Sequence, residues 1–203
     1  MATLPRHEPL SVDALVDALH RDGLQPCDAW LEFQARYAGY EENLGNESAI
    51  WGIVHRDPFY LAANEVVAGQ VRGRVVVMCA DVHPSFEYSL YENGEFYVCG
   101  WFGRSETFDY KVERMAVVWE ANEERAWVSG EAFAPRSPNA MRALLGQFGA
   151  EKVPEASDRF YTTWRATDII AFESQDDRPG ILVAADAREW IAEYARKINE
   201  EVS

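Results

Sequence analysis

Leu90-Tyr91-Glu92-Asn93-Gly94-Glu95-Phe96-Tyr97 decides the fold. Just upstream, Phe86, Tyr88 and Leu90 alternate with Glu87, Ser89 and Tyr91, the period of two that marks a half-buried strand. Residues 96–101 read as the returning strand. Between the two runs stands Asn93-Gly94, and both residue types tolerate the positive φ of a type I′ turn. An antiparallel hairpin is therefore predicted at the middle of the chain. Along the chain helices precede and follow runs of strands rather than alternating with them one for one, so α+β fits better than a doubly wound sheet.

Working outward, residues 71–80 form an apolar run, interrupted by Gly73 and Arg74, that reads as a central strand, with weaker strands at 50–54 and 60–63. Two helices precede them. Ser11 suits a cap, Val12, Leu15, Val16 and Leu19 keep helical spacing, and Gly23 follows as a stop. The second helix follows Pro26 with Asp28 in its first turn, Trp30, Phe33 and Tyr37 make its apolar stripe, and Gly39 suits the stop. After the hairpin, Phe108, Val112, Met115, Ala116 and Trp119 predict a helix over 107–121 that docks on the hairpin sheet.

Residues 121–138 carry no clear pattern. Ser137-Pro138 then opens a helix with a cap and a proline at its first position. Three strands follow at 160–164, 169–172 and 181–184, and a last helix starts at Asp186, with Glu189 completing a capping box. The class expected is α+β: a mostly antiparallel sheet with N-terminal helices and a helix packed on it, plus a C-terminal αβββα-like extension. Residues 1–125 form the core and 126–203 an elaboration packed into the same globule.

Lys plus Arg number 19 against 34 Asp plus Glu in 203 residues, a formal charge of −15. That balance opposes nucleic-acid binding and polybasic membrane attachment, both of which need positive charge. The N-terminus has no basic start followed by an apolar stretch, and no run reaches the roughly eighteen apolar residues of a membrane span. Cys27, Cys79 and Cys99 form no C-x-x-C pair, the usage of a reducing compartment. A cytoplasmic location is expected.

Motifs for chemistry are sparse. Asp81-Val82-His83 places a carboxylate and an imidazole on one side of an extended segment, but no H-x-x-x-H or paired C-x-x-C accompanies it, and a strand-end turn before Pro84 explains it equally well. His7, His20 and His55 are scattered. No G-x-S-x-G elbow occurs, and Gly100-Trp101-Phe102-Gly103 lacks the Lys-Ser/Thr of a phosphate loop. No catalytic residue, metal ligand or cofactor is assigned, and the chain is read as a non-enzyme. Trp30, Trp119 and Trp190 fall on apolar helix faces and read as core, whereas Trp51, Trp101 and Trp164 stay open between core and interface.

Two stretches resemble the SUKH superfamily. One is Pro26-Cys27-Asp28-Ala29-Trp30-Leu31-Glu32-Phe33-Gln34-Ala35-Arg36-Tyr37-Ala38-Gly39, a proline-led helix ending in an aromatic and then glycine. The other joins Leu90 to Tyr97 with Ser105-Glu106-Thr107-Phe108 and Val112-Glu113-Arg114-Met115-Ala116, similar to that family's late hairpin and following helix. The likeness spans about residues 10–122. It implies an α+β fold and a bacterial immunity protein that binds and neutralises a cognate toxin, often a nuclease, and it supplies no catalytic residues.

An acidic surface would steer towards a toxin with a basic face. The acidic clusters singled out for that interface are Glu41, Glu42 and Glu47 after the second helix, and Glu87, Glu92 and Glu95 around the hairpin. Two other readings compete: a regulatory scaffold for an endogenous partner, and a hydrolase using Asp81, His83 and a distant carboxylate.

Overall fold

The computed structural model describes residues 5–43, 48–85, 87–98, 104–135, 137–174 and 180–201. The α+β class holds, and among the described residues every paired strand is antiparallel to its neighbours. The chain divides into two compact units, Met1–Phe108 and Asp109–Ser203.

The first unit opens with α1 (Val12–Arg21) and α2 (Asp28–Tyr37). Ser11 Oγ accepts the Ala14 amide at 3.2 Å, satisfying one of the orphan donors of the first turn. Strands β1 (Glu41–Asn43), β2 (Ser48–Trp51), β3 (Ala68–Val71), β4 (Arg74–Met78), β5 (Ala80–Asp81), β6 (Tyr88–Tyr91), β7 (Phe96–Val98) and β8 (Arg104–Ser105) follow. They form two sheets, of order β1-β2-β5 and β3-β4-β6-β7-β8.

Phe108 sits among Phe33, Tyr37, Trp51 and Phe96 with ring centroids 4.6–5.1 Å apart, in edge-on contacts of the kind aromatic quadrupoles favour. Trp51 is therefore core. Buried Gln34 joins α2 to the neighbouring chain: its side-chain oxygen accepts the Ile53 amide at 2.8 Å, while its amide donates to Leu10 and Val54 carbonyls at 3.1 and 3.2 Å.

The central hairpin forms as expected, with Leu90 opposite Phe96 and Ser89 opposite Tyr97. Its turn is not the two-residue type I′ form. The Tyr91 amide donates to the Glu95 carbonyl at 2.9 Å and the Gly94 amide to the Tyr91 carbonyl at 3.0 Å, enclosing a three-residue loop in which Gly94 alone takes positive φ, 85°. The run 71–80 is not one strand either. Arg72 and Gly73 have φ of 53° and 77° and turn the chain between β3 and β4. Residues 60–63, expected as a weak strand, are loop.

Helix α3 (Phe108–Glu124) starts on the last residue of the first unit, and the second unit holds the rest of it with β9 (Trp127–Ser129), a short 3₁₀ turn (Glu131–Phe133), α4 (Pro138–Gln147), β10 (Glu151–Lys152), β11 (Tyr161–Arg165), β12 (Ile169–Ser174), β13 (Gly180–Ala184) and α5 (Arg188–Glu201). The five strands are ordered β10-β11-β12-β13-β9. Ile169 and Ala171 pack with Met141, Leu144, Ile191 and Ala195 of α4 and α5. Ile170, between them, packs with Val117 and Ala121 of α3. Alternate residues of one strand thus enter two cores, so β12 reads as a continuous apolar run.

Phe108, the first residue of the third helix, packs in the aromatic cluster of the first unit. Val117 and Ala121 of the same helix are buried with Ile170 and Ala156 in the second. Trp119 and Trp190 are exposed and not core; Trp190 stacks on Phe148 at 4.6 Å. Trp30 is buried and donates through Nε1 to the Leu90 carbonyl at 3.3 Å. Trp101 and Cys99 lie outside the described residues. No helix is long and apolar enough to cross a membrane among those residues.

Gly39 has φ 84°, and a Cβ there would stand 2.3 Å from the His7 carbonyl oxygen. Gly39→Ala is expected to lower stability by about 3 kcal/mol, combining left-handed strain with a backbone clash. Urea unfolding measures it; a loss below ~1 kcal/mol would show that the 7–39 contact relaxes freely.

Candidate interaction surface

The sequence-nominated carboxylates separate into different roles. Glu95 is buried between strands, where Arg104 and Arg74 donate to Oε2 at 2.8 and 3.0 Å and Asn93 to Oε1 at 3.0 Å. Burial alone would raise its pKa, but these donors outweigh it and hold the carboxyl at about 2. Glu42 is also buried. Both are thus withdrawn from solvent, and Arg74 and Arg104 converge on Glu95 only once the strands pair. Glu41 is half-buried and accepts from His7 at 2.9 Å, which lowers its pKa. Glu87 and Glu92 are exposed, and Glu47 lies outside the described residues.

A different feature stands out in the same unit. Asp81, at the end of β5, is fully buried. Its Oδ2 accepts the Phe59 amide at 2.5 Å, and its Oδ1 accepts the Tyr60 and Leu61 amides at 2.9 and 3.0 Å. Three consecutive main-chain donors thus converge on one carboxylate, the arrangement of a backbone anion nest with the anion supplied internally. The β2–β5 pairing, which sets Asp81 opposite Ile50, places the carboxylate under the loop.

The remaining loop ends are fixed as well. The Asn64 amide donates to the His55 carbonyl at 2.9 Å, and the Arg21 guanidinium donates to the Asn64 carbonyl. Asn64 takes φ 59°, a conformation its short polar side chain tolerates. His55 is itself buried; burial pushes its pKa down, opposed by the Asp81 carboxylate and by a hydrogen bond with the Gly52 carbonyl. His83 accepts the Ser85 amide through Nδ1 at 3.2 Å and meets the Tyr60 ring edge-on at 5.6 Å. Asp81 and His83 thus both brace the loop. Among the described residues, no three His, Cys, Asp or Glu side chains are placed to hold a metal.

The braced loop leaves Phe59 68% and Tyr60 49% exposed, and Val67, later in the chain, is 38% exposed. Aromatics left this exposed add little burial to the fold, whereas aromatic anchors are what protein interfaces use. The sequence contained a signal for this surface: Pro58-Phe59-Tyr60 lies in a stretch without strand alternation. Reading 60–63 as a strand obscured it.

Two outcomes follow. Asp81→Ala leaves three loop amides without their acceptor and is expected to destabilise the protein by about 3 kcal/mol or more. In limited proteolysis the first new cut should fall within 57–64; unchanged cleavage would show the loop is held by other means. Glu95 has a pKa of about 2 in the folded protein against an ordinary 4.5, so the unfolded chain takes up the proton first on acidification. Its contribution is present above about pH 4.5 and lost as pH falls towards 2, and Glu95→Gln should flatten unfolding free energy against pH in that window.

Compared with protein-family models, curated proteins and solved structures, the chain matches none, and the reading of this surface rests on its own geometry and chemistry.

Proposed function

We propose that the protein is an immunity protein, acting in the cytoplasm, that binds and neutralises a cognate bacterial toxin stoichiometrically, with Phe59 and Tyr60 at the centre of the toxin-binding face. The observation that carries the reading is the pair of exposed aromatics on a loop pinned by a buried carboxylate. Pre-organisation of this kind reduces the entropy lost on association, so more of the contact energy appears as affinity. The net charge of −15 adds long-range attraction to a basic partner, acting mainly on association rate. The SUKH resemblance at 26–39 and 90–116 supports the same role. Exposed Glu87 and Glu92 belong to the acidic surface that steers, while Glu42 is buried and Glu95 is bonded within the fold.

The test uses the product of the neighbouring gene. The wild-type protein is expected to form a one-to-one complex with it and to protect cells from it, with association slowing as salt rises. Phe59→Ala and Tyr60→Ala should each weaken the complex by about thirty-fold or more, the loss of an anchor worth about 2 kcal/mol. Phe59→Ala, at the more exposed ring, should change stability by less than about 0.5 kcal/mol, whereas Tyr60→Ala also removes the edge-on contact with His83 and its binding loss is read beside its own unfolding curve. Absence of both complex and protection would remove the immunity reading and leave an endogenous partner as the better one.

A further inference from the structure

β3 is the outer strand of its five-stranded sheet, and Ala68, Gly69 and Gln70 are all exposed. Its register against β4 pairs Ala68 with Val77, Gly69 with Val76, Gln70 with Val75 and Val71 with Arg74. The Met78 amide donates to the Val67 carbonyl at 2.8 Å, which marks 67/78 as a hydrogen-bonded pair. Antiparallel ladders alternate, so the next bonded pairs are 69/76 and 71/74. The main-chain N–H and C=O of Ala68 and Gln70 therefore point away from β4, into solvent.

Natural edge strands are usually blunted by lysine, proline, an inward charge or a covering element. Val66-Val67-Ala68-Gly69-Gln70-Val71 carries no charge and no proline, and the flanking charges are Glu65 and Arg72. In sequence the edge follows the aromatic loop by a few residues, and exposed Val67 stands just before Ala68.

We infer that the β3 edge receives an extended segment of the toxin as an added strand, bonded to Ala68 and Gln70, with the side chains around Phe59, Tyr60 and Val67 gripping the same partner. This rests on the toxin-binding reading above. Main-chain bonds supply affinity in such strand addition, and neighbouring side-chain contacts supply selectivity. The occupant is a segment rich in Lys and Arg. A second copy of this chain would bring another −15 to the edge, and like charge opposes that pairing. A strand of four residues, Ala68–Val71, is moreover too short to bury the area a stable dimer needs, whereas the adjoining aromatic loop enlarges the contact for a partner that covers both.

The experiment compares wild type, Gln70→Pro and Gln70→Ala for binding to the neighbouring gene's product, and follows single-amide hydrogen exchange in the wild-type complex. Gln70→Pro removes one outward donor and leaves the 69/76 and 71/74 pairs intact. It should weaken binding about tenfold or more, and Gln70→Ala by less than about twofold. The Ala68 and Gln70 amides should exchange fast in the free protein and slowly in the complex, while Gly69 and Val71 are protected in both. A wild-type complex in which Ala68 and Gln70 still exchange fast would overturn the strand addition and leave the aromatic-loop reading standing. Absence of any complex would overturn both. Concentration-dependent self-association abolished by Gln70→Pro would assign the edge to a second copy and overturn the toxin assignment. The exchange measurement uses wild-type protein, so it decides the strand addition even where the Gln70→Pro chain fails to fold.

Discussion

A single buried carboxylate organises the surface on which this protein's proposed role depends. Asp81 accepts three successive main-chain amides, from Phe59, Tyr60 and Leu61. An ionised carboxylate away from water is costly unless its lone pairs are filled, and a loop without a strand partner must find acceptors for its amides. Each problem is the other's solution here. The price of that solution is rigidity, and rigidity is useful on a loop that holds two aromatic rings outward. Asp81 is in turn placed by β5 pairing with β2, and β2 is placed by Trp51 entering the aromatic cluster around Phe108. Gln34 closes the arrangement from α2 by bonding Leu10, Ile53 and Val54.

The acidic character of the chain has two physical meanings. Asp81, Glu95 and Glu42 are buried, and the first two are satisfied by amides, arginines and Asn93, so part of the negative charge is structural. Exposed carboxylates such as Glu87 and Glu92 project into solvent, where they act at a distance and are screened by salt. Counting charges therefore overstates the number of acidic groups available to meet a partner.

Much of the fold was legible from local pattern. Helix α1 and helix α4 carry their caps and apolar stripes in plain view, and Ser11 and Ser137 both accept the amide three residues on. The central hairpin was legible from alternation and Asn93-Gly94, but its turn length was not, because Glu92 joins the loop and Tyr91 pairs with Glu95. The β3–β4 turn escaped notice because arginine seldom takes positive φ, as Arg72 does. Asp186 looked like a cap, yet α5 starts at Arg188, and the Asp186 carboxylate meets Arg125 at 3.4 Å. The candidate surface was hidden for a related reason. Asp81 and the amides at 59–61 are some twenty residues apart, with separations of 20–22, and no periodicity announces such a pairing.

The central claim is that the Asp81-braced loop is a preformed binding surface, and the most direct measurement is the structure of the complex with the neighbouring gene's product. The account predicts that the Phe59 and Tyr60 rings are buried against the partner, with the loop's backbone and its three bonds to Asp81 unchanged from the free protein. A complex in which both rings remain in solvent, or in which the loop lets go of Asp81 to bind, would contradict it.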